Sequence, residues 1–178
     1  MKILGIDVGG TGIKGAPVDC QRGKLLAERH RIETPKPPLP EAVVETIVKV
    51  TRHFRWKGPI GCTLPCVVKR GRILLAANLH DSWLNLQADD LLRRKLRSDV
   101  AVLNDADAAG IAEMRFGAGK GKRGLVAVVT LGTGIGTALF HDGRLVPNIE
   151  LGHLIIRGND SERRAEAGLI GAALAAAD

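Results

Sequence analysis

Hydrophobic positions along the chain fall into short runs broken by glycine turns, then into two periodic stretches. "ILGIDVG" is an apolar run interrupted by Asp7. A glycine-rich turn follows, and then a second extended run, "GAPVD". "DCQRG" is turn chemistry and "KLLAERHRI" reads as a third extended run, so the opening predicts a hairpin meander. "TPKPPLP", Thr34 to Pro40, is a stiff connector of polyproline type. From Glu41 to Phe54 apolar residues at 43, 44, 47, 48, 50 and 54 predict an amphipathic helix. "PIGCTLPCVV" predicts a buried strand running into a turn at Pro65, and "GRILLAANL" a second strand ending at Asn78. "LQADDLLRRKL" has helical period with acidic residues near its start. "VAVLND" reads as a strand, "ADAAGIAEMRF" as a helix, and "GAGKGKRG" as a flexible basic link. "LVAVVTLGTGIGTALF" is again strand, glycine turn, strand, followed by the "HDG" turn and the strand "RLVP".

The last of these segments repeats the first. Gly10-Thr11-Gly12-Ile13 recurs as Gly132-Thr133-Gly134-Ile135, and Ala16 matches Ala138, at a constant offset of 122. Each copy lies between two apolar strands. The repeat predicts a duplicated α/β protein whose second copy stops early, because too few residues remain beyond position 122 for a complete one. The boundaries expected are 1–110 for the first domain and 111–178 for the beginning of the second. The Ala-rich tail "AGLIGAALAAAD" is expected to be a helix lacking some of its partners.

Gly10 to Gly15 also fits the dinucleotide pattern G-x-G-x-x-G, which must open a helix at its third glycine. Pro17 and the extended run that follows argue against that helix. A dehydrogenase is therefore the weakest reading.

Charge adds a partner class. Lys and Arg number 26 against 19 Asp and Glu, a net +7, which favours an anionic partner. Aromatic residues are 3% with no Tyr, leaving few platforms for stacked bases, so a phosphate-rich ligand suits the chain better than nucleic acid. No stretch reaches the ~18 apolar residues of a membrane span, and the N-terminus lacks the features of a signal peptide. The expectation is a cytoplasmic protein with no membrane partner. Cys20, Cys62 and Cys66 contain no C-x-x-C pair, which suggests reduced thiols rather than a disulfide framework or zinc knuckle.

The chemistry sits at the two turns. Gly9, Gly10, Thr11 and Gly12 in one, and Gly132, Thr133, Gly134 and Gly136 in the other, offer backbone N–H groups and hydroxyls that would cradle a phosphate chain from both sides of a cleft. Glycine is expected there for close backbone approach and for positive φ. Asp7, ending the first strand, is placed to hold Mg²⁺ through water, or else to cap the tight turn. Lys14 neutralises a phosphate or is an ordinary solvated lysine. Asn104-Asp105 after the strand "VAVL" reads as an N-cap. Lys120, Lys122, Arg123 and Arg115 either guide a polyanion or form a solvated surface.

Together, "LGIDVGGTGIKGAPVD", "WKGPIG", "AANLHDSW", "VLNDADAAGIAEMRFGAGKG" and "TLGTGIGTALFHDGRLVPNIELGHL" resemble the ROK (repressor, open reading frame, kinase) sugar kinases. These belong to the actin-like ATPase superfamily with its ribonuclease H-like fold, and the chain is most similar to their polyphosphate glucokinase branch. The resemblance implies transfer of a phosphoryl group to glucose or a related hexose from polyphosphate or ATP with Mg²⁺. It implies Asp105 as the base that accepts the proton of the sugar 6-hydroxyl, and Asn78, Asn104, Glu150 and His153 as residues that bind the sugar hydroxyls. Glu162, in "ERRAE" where the family has a serine at the place of Glu166, is a further sugar ligand by the same likeness. The cysteine cluster that accompanies the family's histidine in zinc-binding members is absent, so no zinc is expected. "CTLPCVV" departs from the usual glycine-containing turn. The rivals are a sugar-sensing regulatory module of the same family, for which no helix-turn-helix precedes the first strand, and a catalytically inactive kinase fragment. The sequence leaves the oligomeric state open, a homodimer included.

Overall fold

In the computed structural model of the chain, which describes residues 1–76, 79–131, 134–153, 155–156 and 159–160, the first apolar run forms β1 (Lys2–Val8). Its alternation buries Leu4, Ile6 and Val8 and leaves Asp7 exposed. β2 (Gly12–Asp19) returns antiparallel, with Asp7 opposite Lys14. The expected third run is two short strands instead of one. β3 (Lys24–Leu25) pairs with Val18 and Asp19, while β4 (His30–Glu33) pairs with Gly12 to Gly15. The gap falls at Pro17, which has no N–H for the ladder; its carbonyl accepts from the Leu26 amide, and the chain leaves the sheet until His30.

α1 (Pro40–His53) follows the connector with Pro in its first turn, and buries Val43, Val44, Ile47, Val48 and Val50 on one face. β5 (Ile60–Leu64) then lies parallel to β1. β6 (Val67–Lys69) and β7 (Arg72–Leu75) form a separate hairpin, so the second strand ends before Asn78, which lies outside the described residues. α2 (Ala88–Leu96) opens with Asp89 and Asp90, and Arg93 bridges both carboxylates at 3.0 and 3.1 Å. β8 (Val100–Asn104) completes the sheet parallel to β5, and α3 (Asp105–Phe116) leaves its end. The sheet order is β3-β2-β1-β5-β8 with β4 also on β2. Its core packs Leu4, Ile6, Ile13, Ile60, Leu64 and Val100 against α1, α2 and the fully buried Trp83.

The chain divides into compact units Met1–Ala108 and Ala109–Asp178. In the second unit β9 (Leu125–Leu131), β10 (Ile135–His141) and β11 (Arg144–Val146) form an antiparallel meander. This repeats the β1–β2 arrangement, with Gly134 just before its second strand. Gly110 of α3 lies tight on this sheet: a Cβ there would come within 2.6 Å of Ala138 and 2.8 Å of Phe140. β12 (Ile155–Ile156) and β13 (Asn159–Asp160) make a minimal ladder. The Ala-rich tail, Gly132, Thr133 and Glu162 lie outside the described residues. Among the described residues no helix is long and apolar enough to cross a membrane.

Candidate active site

Parallel strands deliver their carboxyl ends to one edge of a sheet, where α/β proteins place their ligands. Three converge here. Asp7 near the end of β1 is in register with Thr63 of β5, and Leu64 of β5 with Asn104 of β8. Asp105 follows at the first position of α3. Three loops' worth of chemistry thus share one edge of the first unit.

Asp7 is fixed by Thr63, whose hydroxyl donates to Oδ1 at 2.8 Å. Its Oδ2 stands 4.0 Å from Lys14 Nζ, a partly exposed pair that the cross-strand register creates and that adds little stability. The side chain remains 52% exposed. A carboxylate held on one oxygen by a hydroxyl and still half exposed fits a hydrated Mg²⁺, a hard ion that keeps several of its waters. Among the described residues there is no group of three or more His, Cys, Asp or Glu that could hold a metal ion.

Asn104 is buried and acts as the cap of α3: its Oδ1 accepts from the Asp107 amide at 2.9 Å, and its Nδ2 donates to the Cys66 carbonyl at 3.1 Å. The unusual "CTLPCVV" segment therefore supplies two ties to this edge, through Thr63 and Cys66. The sequence marks this segment as a departure but gives neither residue a role at the edge, because both are small residues in a strand and turn with no pattern of their own. Asp105 Oδ1 accepts from the Ala106 amide at 2.8 Å. Burial pushes the Asp105 carboxyl above the ordinary aspartate range, and the negative charges of Asp7 and Asp107 add to the shift. A carboxyl raised in this way has a stronger affinity for a proton, the property a general base needs.

Cys62, on the buried face of β5, has its thiol pushed up to about 12 by burial first, then by Asp7 and Cys66. It is inert on that ground. Iodoacetamide on the native protein should modify only the part-exposed Cys20, with Cys62 and Cys66 becoming reactive on unfolding, as intact mass measurement will register. Native modification of all three would contradict this burial.

The first glycine turn corrects one expectation. None of Gly9, Gly10 and Gly12 adopts a left-handed φ. At two of them an added side chain would make a neighbour move, at Gly12 the end of the flexible Arg31 side chain. A Cβ on Gly12 would sit 2.4 Å from Arg31 Nε, and one on Gly9 3.2 Å from the Gly12 carbonyl; Gly10 faces open space. Arg31 and Thr34, which contact this turn, were also missed, since nothing in the sequence pairs β4 with a turn some twenty residues earlier.

In the second unit, Gly134 precedes β10 and Gly136 lies within it opposite Thr130. Glu150 is partly buried, and its neighbours are held by buried Thr137: the Thr137 hydroxyl donates to the Ile149 carbonyl and accepts from the Leu151 amide. The backbone of His153 ends a short 3-10 turn, Leu151–His153. Lys120, Lys122, Arg123 and Arg115 are exposed, and the Arg115 guanidinium lies 5.4 Å from the Phe116 ring.

The chain is 48% identical over 163 residues to the polyphosphate glucokinase of Mycobacterium leprae (strain TN), covering 91% of this chain and 50% of that protein. It is 50% identical to the polyphosphate glucokinase of Mycobacterium tuberculosis (strain ATCC 25618 / H37Rv), covering 91% and 62%. The chain thus spans only about half to three fifths of the length of these curated relatives. Among solved structures, the inorganic polyphosphate/ATP-glucomannokinase from Arthrobacter sp. strain KM superposes with a TM-score of 0.89 at 48% identity, covering 96% of this chain and 71% of that one. A ROK family glucokinase from Streptomyces griseus, in complex with glucose and AMPPNP, gives 0.77 at 30% identity over 88% and 51%. The fold is the α/β fold of the actin-like ATPases. The ROK family model matches residues 3–174, and the chain belongs to the ROK family.

Proposed function

We propose that this chain carries the phosphoryl-transfer chemistry of a hexokinase-type enzyme, making glucose 6-phosphate from glucose with inorganic polyphosphate, ATP serving as a second donor. The observation that carries the reading is the shared strand edge: Asp7 of β1 held by Thr63 of β5, and after β8, the next strand on that edge, an Asp105 whose carboxyl burial raises. Its likeness to named polyphosphate glucokinases and to a glucomannokinase supports the choice of sugar and donor.

Asp105 accepts the proton of the sugar 6-hydroxyl as O6 bonds to the terminal phosphorus. The bond from that phosphorus to its bridging oxygen breaks, leaving a polyphosphate one unit shorter. Asp7 would hold Mg²⁺ through water; when bound, the ion neutralises charge on the donor's oxygens. The Gly9–Gly12 turn supplies backbone donors and Lys14 a nearby cation. Asn78, Asn104, Glu150, His153 and Glu162 are assigned to the sugar, and Gly132, Thr133, Gly134 and Gly136 to the donor. The domain division proposed, 1–110 and 111–178, follows the repeat.

The test is sugar 6-phosphate formation by the purified chain with Mg²⁺, comparing polyphosphate with ATP and glucose with mannose. Turnover that depends on glucose and is faster with polyphosphate is the expected result. Glucose binding by calorimetry without turnover from either donor would favour the sugar-sensing module or inactive fragment, and absence of both would overturn the reading.

A further inference from the structure

The turn between β1 and β2 is gripped from outside by two side chains of one neighbouring segment. Arg31 of β4 donates from Nη2 to the Thr11 carbonyl at 2.6 Å. Thr34, buried one residue past β4, donates its hydroxyl to the Gly9 carbonyl at 2.5 Å. A third bond, from the Gly9 amide to the Gly12 carbonyl at 3.1 Å, closes the turn from within.

The consequence follows from peptide geometry. In a planar trans peptide the carbonyl and the N–H of the next residue point in opposite directions. Fixing the carbonyls of Gly9 and Thr11 toward Thr34 and Arg31 therefore fixes the N–H groups of Gly10 and Gly12 away from them. The turn's two amides are aimed before any ligand arrives. Preformed donors of this kind need no reorganisation when a charged oxygen binds, which is why they outperform mobile ones.

Position 12 and position 31 are also matched to each other. The guanidinium occupies the space where a Gly12 side chain would begin, with Nε, Cζ and Nη2 at 2.4, 2.8 and 2.9 Å from an added Cβ. The β2–β4 register, with Lys14 opposite Arg31, sets this overlap. Among the described residues Arg31 makes no ion pair, so its charge beside the turn is not cancelled by a carboxylate.

We infer that Arg31 and Thr34 are positioning residues for the phosphoryl donor: through the carbonyls of Thr11 and Gly9 they orient the Gly10 and Gly12 amides that receive its oxygens. The inference rests on the reading of this turn as the donor cradle.

The test separates the clamp from that reading. Amide hydrogen exchange by NMR reports the turn with no ligand present, and calorimetry with tripolyphosphate reports the binding. In the full chain, Arg31→Ala and Thr34→Val should each speed exchange at Gly10 and Gly12 and weaken tripolyphosphate binding by about tenfold, the scale of one lost hydrogen bond. The thermal midpoint should fall by no more than the few degrees that one lost hydrogen bond costs. Thr34→Ser should restore both readouts, and Arg31→Lys, which keeps the charge but not the planar fork, should restore neither fully. Unchanged exchange in both variants would overturn the clamp. Weaker binding with unmoved amides and full rescue by Arg31→Lys would also overturn it, leaving only a charge effect. Faster exchange in the variants, with no tripolyphosphate binding by the unmodified chain, would sink the donor reading and reduce the two residues to a tie within the fold.

Discussion

Asp105→Asn should lower turnover by about two to four orders of magnitude, the usual contribution of a positioned general base, while the protein remains folded. The amide oxygen of Asn can still accept the Ala106 N–H that Asp105 Oδ1 accepts, so the first turn of α3 keeps its bond. What disappears is the proton acceptor. The direction of the stability change follows from the raised carboxyl. Asp105 binds its proton more tightly in the folded chain than in the unfolded one, because burial and the charges of Asp7 and Asp107 oppose ionisation. Below the unfolded value both states are protonated and nothing is lost. As pH rises through the folded value, the folded state must carry a charge it disfavours, and stability declines. At neutral pH the Asn variant should therefore melt at the same temperature as the parent or higher. The activity profile gives a second check. Because the base must be ionised, the acid limb of kcat should lie above the ordinary aspartate value near 3.8, and it should vanish in any residual activity of the variant. A variant that lost activity only because it unfolded would show a lowered midpoint instead.

The parts of this edge that were legible in the sequence share a reason. Asp7, the Gly9–Gly12 turn and Asn104-Asp105 are contiguous with the strands that carry them, so alternation and turn chemistry locate them without knowledge of tertiary structure. The repeat at offset 122 exposed the second meander in the same way. Thr63, Arg31, Thr34 and Thr137 were not legible, because each acts across a strand pairing or a loop return: Thr63 reaches Asp7 through parallel register, and Thr34 reaches Gly9 across 25 positions. Register between strands far apart in sequence is set by packing of whole elements, and a single local window carries no trace of it. The split of β3 from β4 belongs to the same class. Residues 24–32 read as one extended run from sequence, but the partner strand β2 contains Pro17, and the missing donor is on the partner. The expectation of positive φ in the first turn failed for a different reason. Glycine permits that conformation without requiring it, and here Gly12 leaves free the space that the Arg31 guanidinium occupies.

Trp83→Ala should destabilise the first unit by about 3–5 kcal/mol, the range for removing a buried aromatic side chain. Trp83 is fully buried within the main core, at the end of a short 3-10 turn, Asp81–Trp83, that the His80 ring caps by accepting from the Ser82 amide. Its indole Nε1 also donates to the Pro38 carbonyl at 2.9 Å, and so ties the Pro-rich connector to the core. Two effects are superimposed, and a second variant separates them. Trp83→Phe retains most of the apolar volume but leaves the Pro38 carbonyl without its donor, which should cost about 1–3 kcal/mol. Urea unfolding followed by circular dichroism measures both. If packing dominates, the alanine variant falls well below the phenylalanine variant. Equal losses would mean that the connector's anchoring, rather than the indole's contacts, holds this part of the unit. The connector begins at Thr34, the residue that grips Gly9. A loosened Pro38 would therefore also free the glycine turn, and in the phenylalanine variant, still folded, amide exchange at Gly10 should rise before any global unfolding is seen.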